Sequence, residues 1–394
     1  KMVRIEEERF GNTVSVGLGK LNDLGITAET AKDEALFLAI GKLYDTFGTP
    51  RDLIRVYLEE KGLEFEEEDF NERFDNALQE LQKQGDVGHT TRKSQPSPIY
   101  AELLEKVGAN QFHGYDVTQL PDAKVVAILD GEKPVDELSA GAQGSVVLDN
   151  TPFYAESGGQ VGDTGVLVKT MFGKGDEKGG MMKMGGVASK ATVSDTYSPV
   201  QGLIIHKVTV QSGSLKVGDE VVATVDVEKR DATRRNHTAT HLVHAALREV
   251  LGTHVKQAGS VVGPSVLRFD FTHYQPMTAA EIAEVEDLVN RHILKNDPVN
   301  TNVMAIEDAM AGGAMALFGE KYGSAVRVLS VGDGVFSKEL CGGTHVRATG
   351  DIGTFKITGD EAIASGVRRI RAVTGFDAFS RFRDDENLID ASLG

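Results

Sequence analysis

Two short patterns, His237-x-x-x-His241 and Cys341-Gly-Gly-Thr-His345, constrain this chain more than any other part of it. Residues four apart on a helix stand one above the other on the same face. The run from Arg230 to Leu251 reads as a helix, so His237 and His241 can aim two imidazoles at one point. About a hundred residues later, Cys341 and His345 flank Gly342 and Gly343. Glycines allow a tight backbone there that turns both side chains the same way. Three imidazoles and one thiolate make a borderline-soft tetrahedral set, which suits one Zn²⁺ per chain better than Mg²⁺ or Ca²⁺. Each half alone has a plainer reading, as core or surface histidines and as a buried small thiol. Both halves together favour a shared metal. His244 is expected beside this set, not in it.

The chain has 394 residues, enough for two or three domains. Its hydrophobic content of 40% describes a soluble globular protein. No apolar run approaches the roughly eighteen residues needed to span a bilayer. The start, Lys1-Met2-Val3-Arg4 before Glu6-Glu7-Glu8, has no secretory core. A single cysteine excludes an internal disulfide framework and fits a reducing, cytoplasmic setting. A net charge of −17 argues against a sequence-blind nucleic-acid binder and against a DNA partner. It leaves room for a local basic site. Arg230, Arg234 and Arg235 precede the two histidines in the ligand helix, and Arg368, Arg369 and Arg371 alternate later, as two sets of candidate phosphate contacts.

Residues 1–85 read as helical: Thr49-Pro50 supplies an N-cap and a proline at the first helical position, Leu53, Ile54 and Tyr57 form an apolar stripe, and Gly62 ends the helix. Residues 86–109 read as a linker. Between 110 and 229 the pattern turns to short β-rich runs, Lys124–Leu129, Ser145–Leu148, Val166–Val168, Leu203–Val210 and Val221–Val227, which suggest a small barrel. Gly173 to Gly186 reads as a mobile excursion, and no glycine pattern there fits a nucleotide loop. Residues 230–375 mix long helices with strands at Val266–Phe271, Val326–Val331, Thr354–Thr358 and Val367–Val373. Thr278-x-x-Glu281 is a capping box for a helix running through Leu294. Residues 376–394 read as the start of a further helix.

Several stretches resemble the alanyl-tRNA synthetase family: Arg234 to Leu247, Gly252 to Ser260, Leu267 to Phe271, Ala314 to Tyr322, Glu339 to His345 and Gly366 to Ile370. Upstream, Thr151 to Asp163, containing Phe153-Tyr154-Ala155-Glu156-Ser157-Gly158-Gly159-Gln160, continues the match. The resemblance implies an α+β multidomain chain. A helical tRNA-recognition segment would lead to a small β-barrel and then to a zinc-containing editing domain of the threonyl/alanyl-tRNA synthetase second-additional-domain type.

The family attaches alanine to its tRNA with ATP and Mg²⁺, in an aminoacylation core that the resemblance does not place on this chain. Both ends therefore read as truncated, without that core and without an oligomerisation region. The implied role of the chain itself is hydrolytic editing of alanine tRNA mischarged with serine or glycine, with no ligase activity of its own. By resemblance His237, His241, Cys341 and His345 hold the metal, and Gln257 and Cys341 serve the hydrolysis. Ser157, Gly158, Gly159 and Gln160 would approach the substrate. Asp45, in Leu43-Tyr44-Asp45-Thr46-Phe47-Gly48-Thr49-Pro50, would read the acceptor stem, and Arg234, Arg235, Arg368 and Arg369 would meet phosphates. Thr49 and Glu156 depart from the family's usual wording. The alternatives are a free-standing trans-editing deacylase and a non-catalytic, zinc-stabilised tRNA-binding module.

Overall fold

The computed structural model describes residues 18–24, 26, 34–47, 50–63, 65–85, 97–170, 186–316, 323–364 and 366–393. The chain divides into two compact units, Lys1–Ser94 and Gln95–Gly394.

The first unit contains helices α1 (Glu34–Phe47), α2 (Arg51–Glu60) and α3 (Glu67–Gly85). Its core gathers Phe37, Ile40, Leu43, Ile54, Leu58, Phe70 and Phe74. On α2 the buried stripe is Ile54, Tyr57 and Leu58, and Leu53 is only half-buried. Pro50 is the N-cap residue of α2, with an extended ψ of 139°, so the helix starts one position later than the sequence suggests. Thr49 lies outside the described residues, as does the side chain of Asp45, whose backbone belongs to α1.

The second unit opens with α4 (Pro98–Val107), which corrects the expectation of a linker over 86–109. Apolar residues at 99, 100, 103, 104 and 107 form one helical face. They pack against Leu129, Leu203 and Ile205. Residues 86–96 lie outside the described residues.

A barrel follows. Its strands are β1 (Gln119–Asp130), β2 (Gln143–Leu148), β3 (Gly165–Thr170), β4 (Val187–Val200), β5 (Leu203–Ser212) and β6 (Glu220–Val225). They pair antiparallel in the order β6-β3-β4-β5-β2-β1, and β6 closes the ring onto β1. Closure leaves no open edge. Val125, Ile128, Val146, Leu148, Phe153, Leu167, Val193, Val208 and Val221 fill the interior.

Strand β4 was not legible in the sequence. Its inward positions include Ser189, Ala191, Val193 and Thr196, so small and polar residues mask the alternation. The last expected strand ends at Val225, not Val227, because Asp226 caps the next helix. Of the glycine-rich excursion at 173–186, residues 173–185 lie outside the described residues.

That next helix is α5 (Val227–Leu251), which lies against a four-stranded antiparallel sheet. The sheet runs β7-β8-β13-β12, from β7 (Gln257–Val262), β8 (Leu267–Thr272), β12 (Phe355–Ala364) and β13 (Val367–Thr374). Helix α6 (Ala279–Lys295) packs on the same core and begins with the expected Thr278–Glu281 capping box. A second antiparallel sheet, β9 (Val299–Ala305), β10 (Ala325–Val331) and β11 (Lys338–Leu340), delivers the chain to Cys341. Between β9 and β10 lies the short α7 (Ile306–Ala311), and α8 (Gly375–Leu393) follows β13. Among the described residues, no helix is long and apolar enough to cross a membrane.

Candidate metal centre

Helix α5 is buried from Asn236 to Leu247, although its sequence carries two threonines there. Each hydroxyl finds a partner one turn back: Thr238 donates to the Arg234 carbonyl at 3.0 Å and Thr240 to the Asn236 carbonyl at 2.8 Å. Such back-bonding satisfies a hydroxyl inside a core. The Asp226 carboxylate accepts from the Lys229 amide and starts the helix. This rigid element aligns His237 and His241, whose rings stack with centroids 5.4 Å apart.

Strand β11 ends where the opposing pair begins. Ligand atoms of His237, His241, Cys341 and His345 all lie within 4.8 Å of one another. Cys341 Sγ is 3.4 Å from His237 Nε2 and 3.2 Å from His345 Nε2. Tetrahedral Zn²⁺ with ordinary Zn–S and Zn–N bonds separates sulfur from nitrogen by about 3.5 Å, so the donor set fits that ion.

The other ring nitrogens are occupied. His237 Nδ1 donates to Gln160 Oε1 at 2.8 Å, and His241 Nδ1 to Glu339 Oε2 at 2.7 Å. Thr238 Oγ1 lies 3.3 Å from His345 Nδ1. Each imidazole thus turns Nε2 inward, and the buried His241 Nε2 has no hydrogen-bond partner. Partners on the far nitrogen are what fix tautomer and ring orientation in metal sites.

Charge points the same way. Burial alone raises the Cys341 thiol, but His237, His345 and His241 outweigh it and bring its pKa well below the ordinary value. Burial also works against ionised Glu339, yet His241 and His244 hold its carboxyl down at about 2. Two buried anions at one point call for a cation. Without a metal that cation is a proton: against its own burial, Glu339 and Cys341 push His241 up to about 10. Burial meanwhile lowers His345 to about 3. A divalent ion balances both anions and makes the extra proton unnecessary.

The Cys341–His345 turn is held from outside by its carbonyls. Arg327 donates to Gly343 O at 2.6 Å, and the Tyr115 hydroxyl to Gly342 O at 2.5 Å. The glycines act differently from the sequence expectation, because neither has a positive φ. A Cβ on Gly343 would fall 2.0 Å from His237 Cε1, whereas one on Gly342 would meet nothing within 4 Å. Close approach of the His237 ring, not backbone freedom, demands Gly343.

Other expected site residues distribute unevenly. Ser157 to Gln160 form a tight turn, closed by Ser157 N to Gln160 O at 3.2 Å and Gln160 N to Ser157 O at 3.0 Å. Gly158 and Gly159 occupy its positive-φ positions, at 58° and 83°. Ser157 and Gly158 are exposed. Gln160, unlike them, is fully buried and hydrogen-bonded to His237 and Thr344. Gln257 opens β7, half-buried, and no hydrogen bond joins it to the four donors among the described residues.

The arginines differ in their surroundings. Arg230 is fully buried, paired with Asp163 and donating to the carbonyls of Gly114 and Pro152. Arg368 is buried against Asp360, and Arg369 makes a two-pronged pair with Asp270 at 2.7 and 2.8 Å. These three guanidiniums are paired with internal carboxylates. Arg234 is half-buried beside Asp231, and Arg235 lies next to Gly375.

Sequence reasoning missed Glu339. Its two oxygens accept from His241 and from His244 Nδ1, the latter at 2.9 Å, so one carboxylate orients two imidazoles. His244 therefore stands beside the donor set, not in it. The available signal was proximity alone, since Glu339 lies two residues before Cys341.

With this geometry in place, comparison with known proteins is specific. The family described as tRNA synthetases class II (A) matches residues 1–229. The threonyl and alanyl tRNA synthetase second additional domain matches residues 326–371, which include Glu339, Cys341 and His345. The chain is 45% identical over 396 residues to the alanine–tRNA ligase of Bordetella bronchiseptica, covering 100% of this chain and 42% of that protein. With the alanine–tRNA ligase of Parvibaculum lavamentivorans it shares 44% identity over 379 residues, 95% of this chain and 40% of that protein. With that of Paramagnetospirillum magneticum it shares 44% over 393 residues, 97% and 42% respectively. The chain thus spans about two-fifths of the length of these curated relatives. On these matches, which run in order along a chain whose buried donors are the ones its motifs foretold, the protein belongs to the alanyl-tRNA synthetase family of class II tRNA synthetases.

Proposed function

We propose that this chain carries the editing function of an alanyl-tRNA synthetase. The reaction is attack of water on the ester that joins serine or glycine to the terminal adenosine of alanine tRNA. The observation that carries this reading is the buried four-donor centre, with every imidazole turned inward by a partner on Nδ1. The chemical need is plain. A pocket shaped for alanine admits glycine, which is one methyl smaller, and rejects an added hydroxyl by only about 10²-fold. Hydrolysis at a second site supplies the missing accuracy.

His237, His241, Cys341 and His345 would hold Zn²⁺, which when bound would supply Lewis-acid chemistry at an ester carbonyl. The chain's residues do the rest. Glu339 orients His241. His345 is the one partly exposed donor, and on this reading the aminoacyl end approaches from its side. The turn at Ser157, Gly158 and Gly159 lets backbone come close to substrate, and the Gln257 amide orients water or ester. Arg234 and Arg235 meet tRNA phosphates, and Asp45 in the helical unit reads the acceptor stem. In the longer relatives' context, the parent enzyme joins alanine to tRNA with ATP and Mg²⁺ in the cytoplasm.

One observation favours a second reading, a non-catalytic zinc-stabilised tRNA-binding module. All four positions of a tetrahedral shell are protein atoms and three of the residues are buried, as in a closed structural site. Incubation of the chain with Ser-tRNA and Ala-tRNA bearing the alanine acceptor stem separates the two. Editing predicts fast release of serine and slow release of alanine, with Cys341→Ala folded but slow on Ser-tRNA. Loss of fold on chelation, with no serine released by the loaded chain, would establish the module instead.

A further inference from the structure

We infer that Gln160 is a positioning residue of the metal centre: the barrel-side turn supplies it to set the tautomer of His237 and to fix the turn carrying Cys341 and His345. The inference rests on the metal reading above and goes beyond it in assigning work to a residue outside the donor set.

The hydrogen bonds determine how the Gln160 amide lies. The Thr344 backbone N–H donates to Gln160 Oε1 at 2.8 Å, and a backbone N–H can only donate. The oxygen, not the NH₂, therefore faces this side. Gln160 Nε2 in turn donates to Thr344 Oγ1 at 2.9 Å. The same Oε1 lies 2.8 Å from His237 Nδ1, so that nitrogen must carry the proton. A neutral imidazole protonated on Nδ1 has its lone pair on Nε2. That is the atom 3.4 Å from Cys341 Sγ. One amide oxygen thus aims one of the two α5 donors and grips the turn bearing Cys341 and His345, across sequence separations of 77 and 184 residues.

Gln160 has little freedom to do otherwise. Its side chain is fully buried. Its flanks are tied to β7, with Val161 N donating to Val262 O at 3.0 Å and Val262 N to Gly159 O at 2.7 Å. A Cβ on Gly159 would lie 2.5 Å from the Ser260 carbonyl oxygen, so the turn is seated directly on that strand. A purely structural Gln160 would only satisfy Thr344, and the donor strength of His237 would not depend on it.

The test uses the intact chain, stripped of metal and reloaded with Zn²⁺ or Co²⁺. Zinc affinity is read by competition with a chromophoric chelator, and ligand geometry by the visible spectrum of the cobalt form. Gln160→Met keeps the length and removes the hydrogen bonds; it should weaken zinc roughly 10–100-fold, the usual cost of losing such a support, and alter the cobalt bands. Gln160→Glu keeps an oxygen facing both His237 and Thr344 N–H and should restore parental affinity and spectrum. Parental affinity and spectrum in Gln160→Met overturn this inference alone. A parent chain that takes up no zinc overturns the metal reading and this inference with it. If Gln160→Met does not fold, ¹⁵N-imidazole NMR of the zinc-loaded parent decides: His237 protonated on Nδ1 with metal on Nε2 supports the assignment, and the reverse overturns it.

Discussion

His241 Nδ1 lies 2.7 Å from Glu339 Oε2, and both side chains are buried. A carboxylate so placed accepts the far proton of a donor imidazole and leaves Nε2 facing inward. The other oxygen of Glu339 does the same for His244, whose own Nε2 is buried without a partner. In Glu339→Gln one of those oxygens becomes an NH₂ that faces an imidazole N–H. Zinc content after dialysis against a weak chelator should fall relative to the parent. Retention equal to the parent would show that Glu339 does not orient His241.

The two glycines of the ligand turn should behave oppositely. Gly343→Ala drives a methyl to 2.0 Å from His237 Cε1, with the Gln160 amide oxygen 2.9 Å away. Forced overpacking of this kind costs about 1–3 kcal/mol and here also displaces a ligand. Gly342→Ala meets nothing within 4 Å and has no positive φ to strain. Melting temperature and zinc stoichiometry should fall together in the first and stay parental in the second.

The barrel carries its own acid sensitivity at His206. Its ring is buried, Nδ1 donates to Val146 O at 3.0 Å, and Nε2 accepts from Thr151 Oγ1 at 2.8 Å. Burial lowers its pKa from 6.5 to about 4. The unfolded chain therefore binds this proton first as pH falls. Stability is complete above about 6.5 and is lost towards pH 4, by about 3 kcal/mol for a shift of this size. His206→Gln should flatten the dependence of the urea midpoint on pH between 6.5 and 4. A variant with the parental slope would contradict the assignment.

Arg230 and Asp163 join α5 to the segment that follows Gln160. Their side chains are 0% and 6% exposed. Removing one member strands a buried charge, at about 3–5 kcal/mol. Arg230→Met should lower the urea midpoint strongly. Adding Asp163→Asn should recover part of the loss, because the second change removes the orphaned charge. Additive losses would mean that the pair is not coupled.

Much of this site was legible because its chemistry is local in sequence. A four-residue helical spacing and a Cys-Gly-Gly-Thr-His turn single out four potential donors, and the structure brings all four together. What the sequence did not reveal depends on three-dimensional neighbours. Glu339 is an ordinary strand residue until its side chain meets two histidines from α5. Gln160 sits in a glycine-rich turn that suggests substrate contact, and only burial shows it turned inward. Arg368 and Arg369 look like free cations in one dimension, and cross-sheet neighbours Asp360 and Asp270 claim them. In the fold, β4 escaped notice because barrel interiors accept Ser, Ala and Thr where a sandwich core would show large apolar residues.

X-ray absorption at the zinc edge of the purified chain reads the proposed centre itself. About one zinc per chain is expected, with one sulfur at about 2.3 Å and three nitrogens at about 2.0–2.1 Å. The sulfur shell should disappear in Cys341→Ala. A parent spectrum with only oxygen and nitrogen neighbours, or a chain that retains no zinc, would contradict the proposed centre.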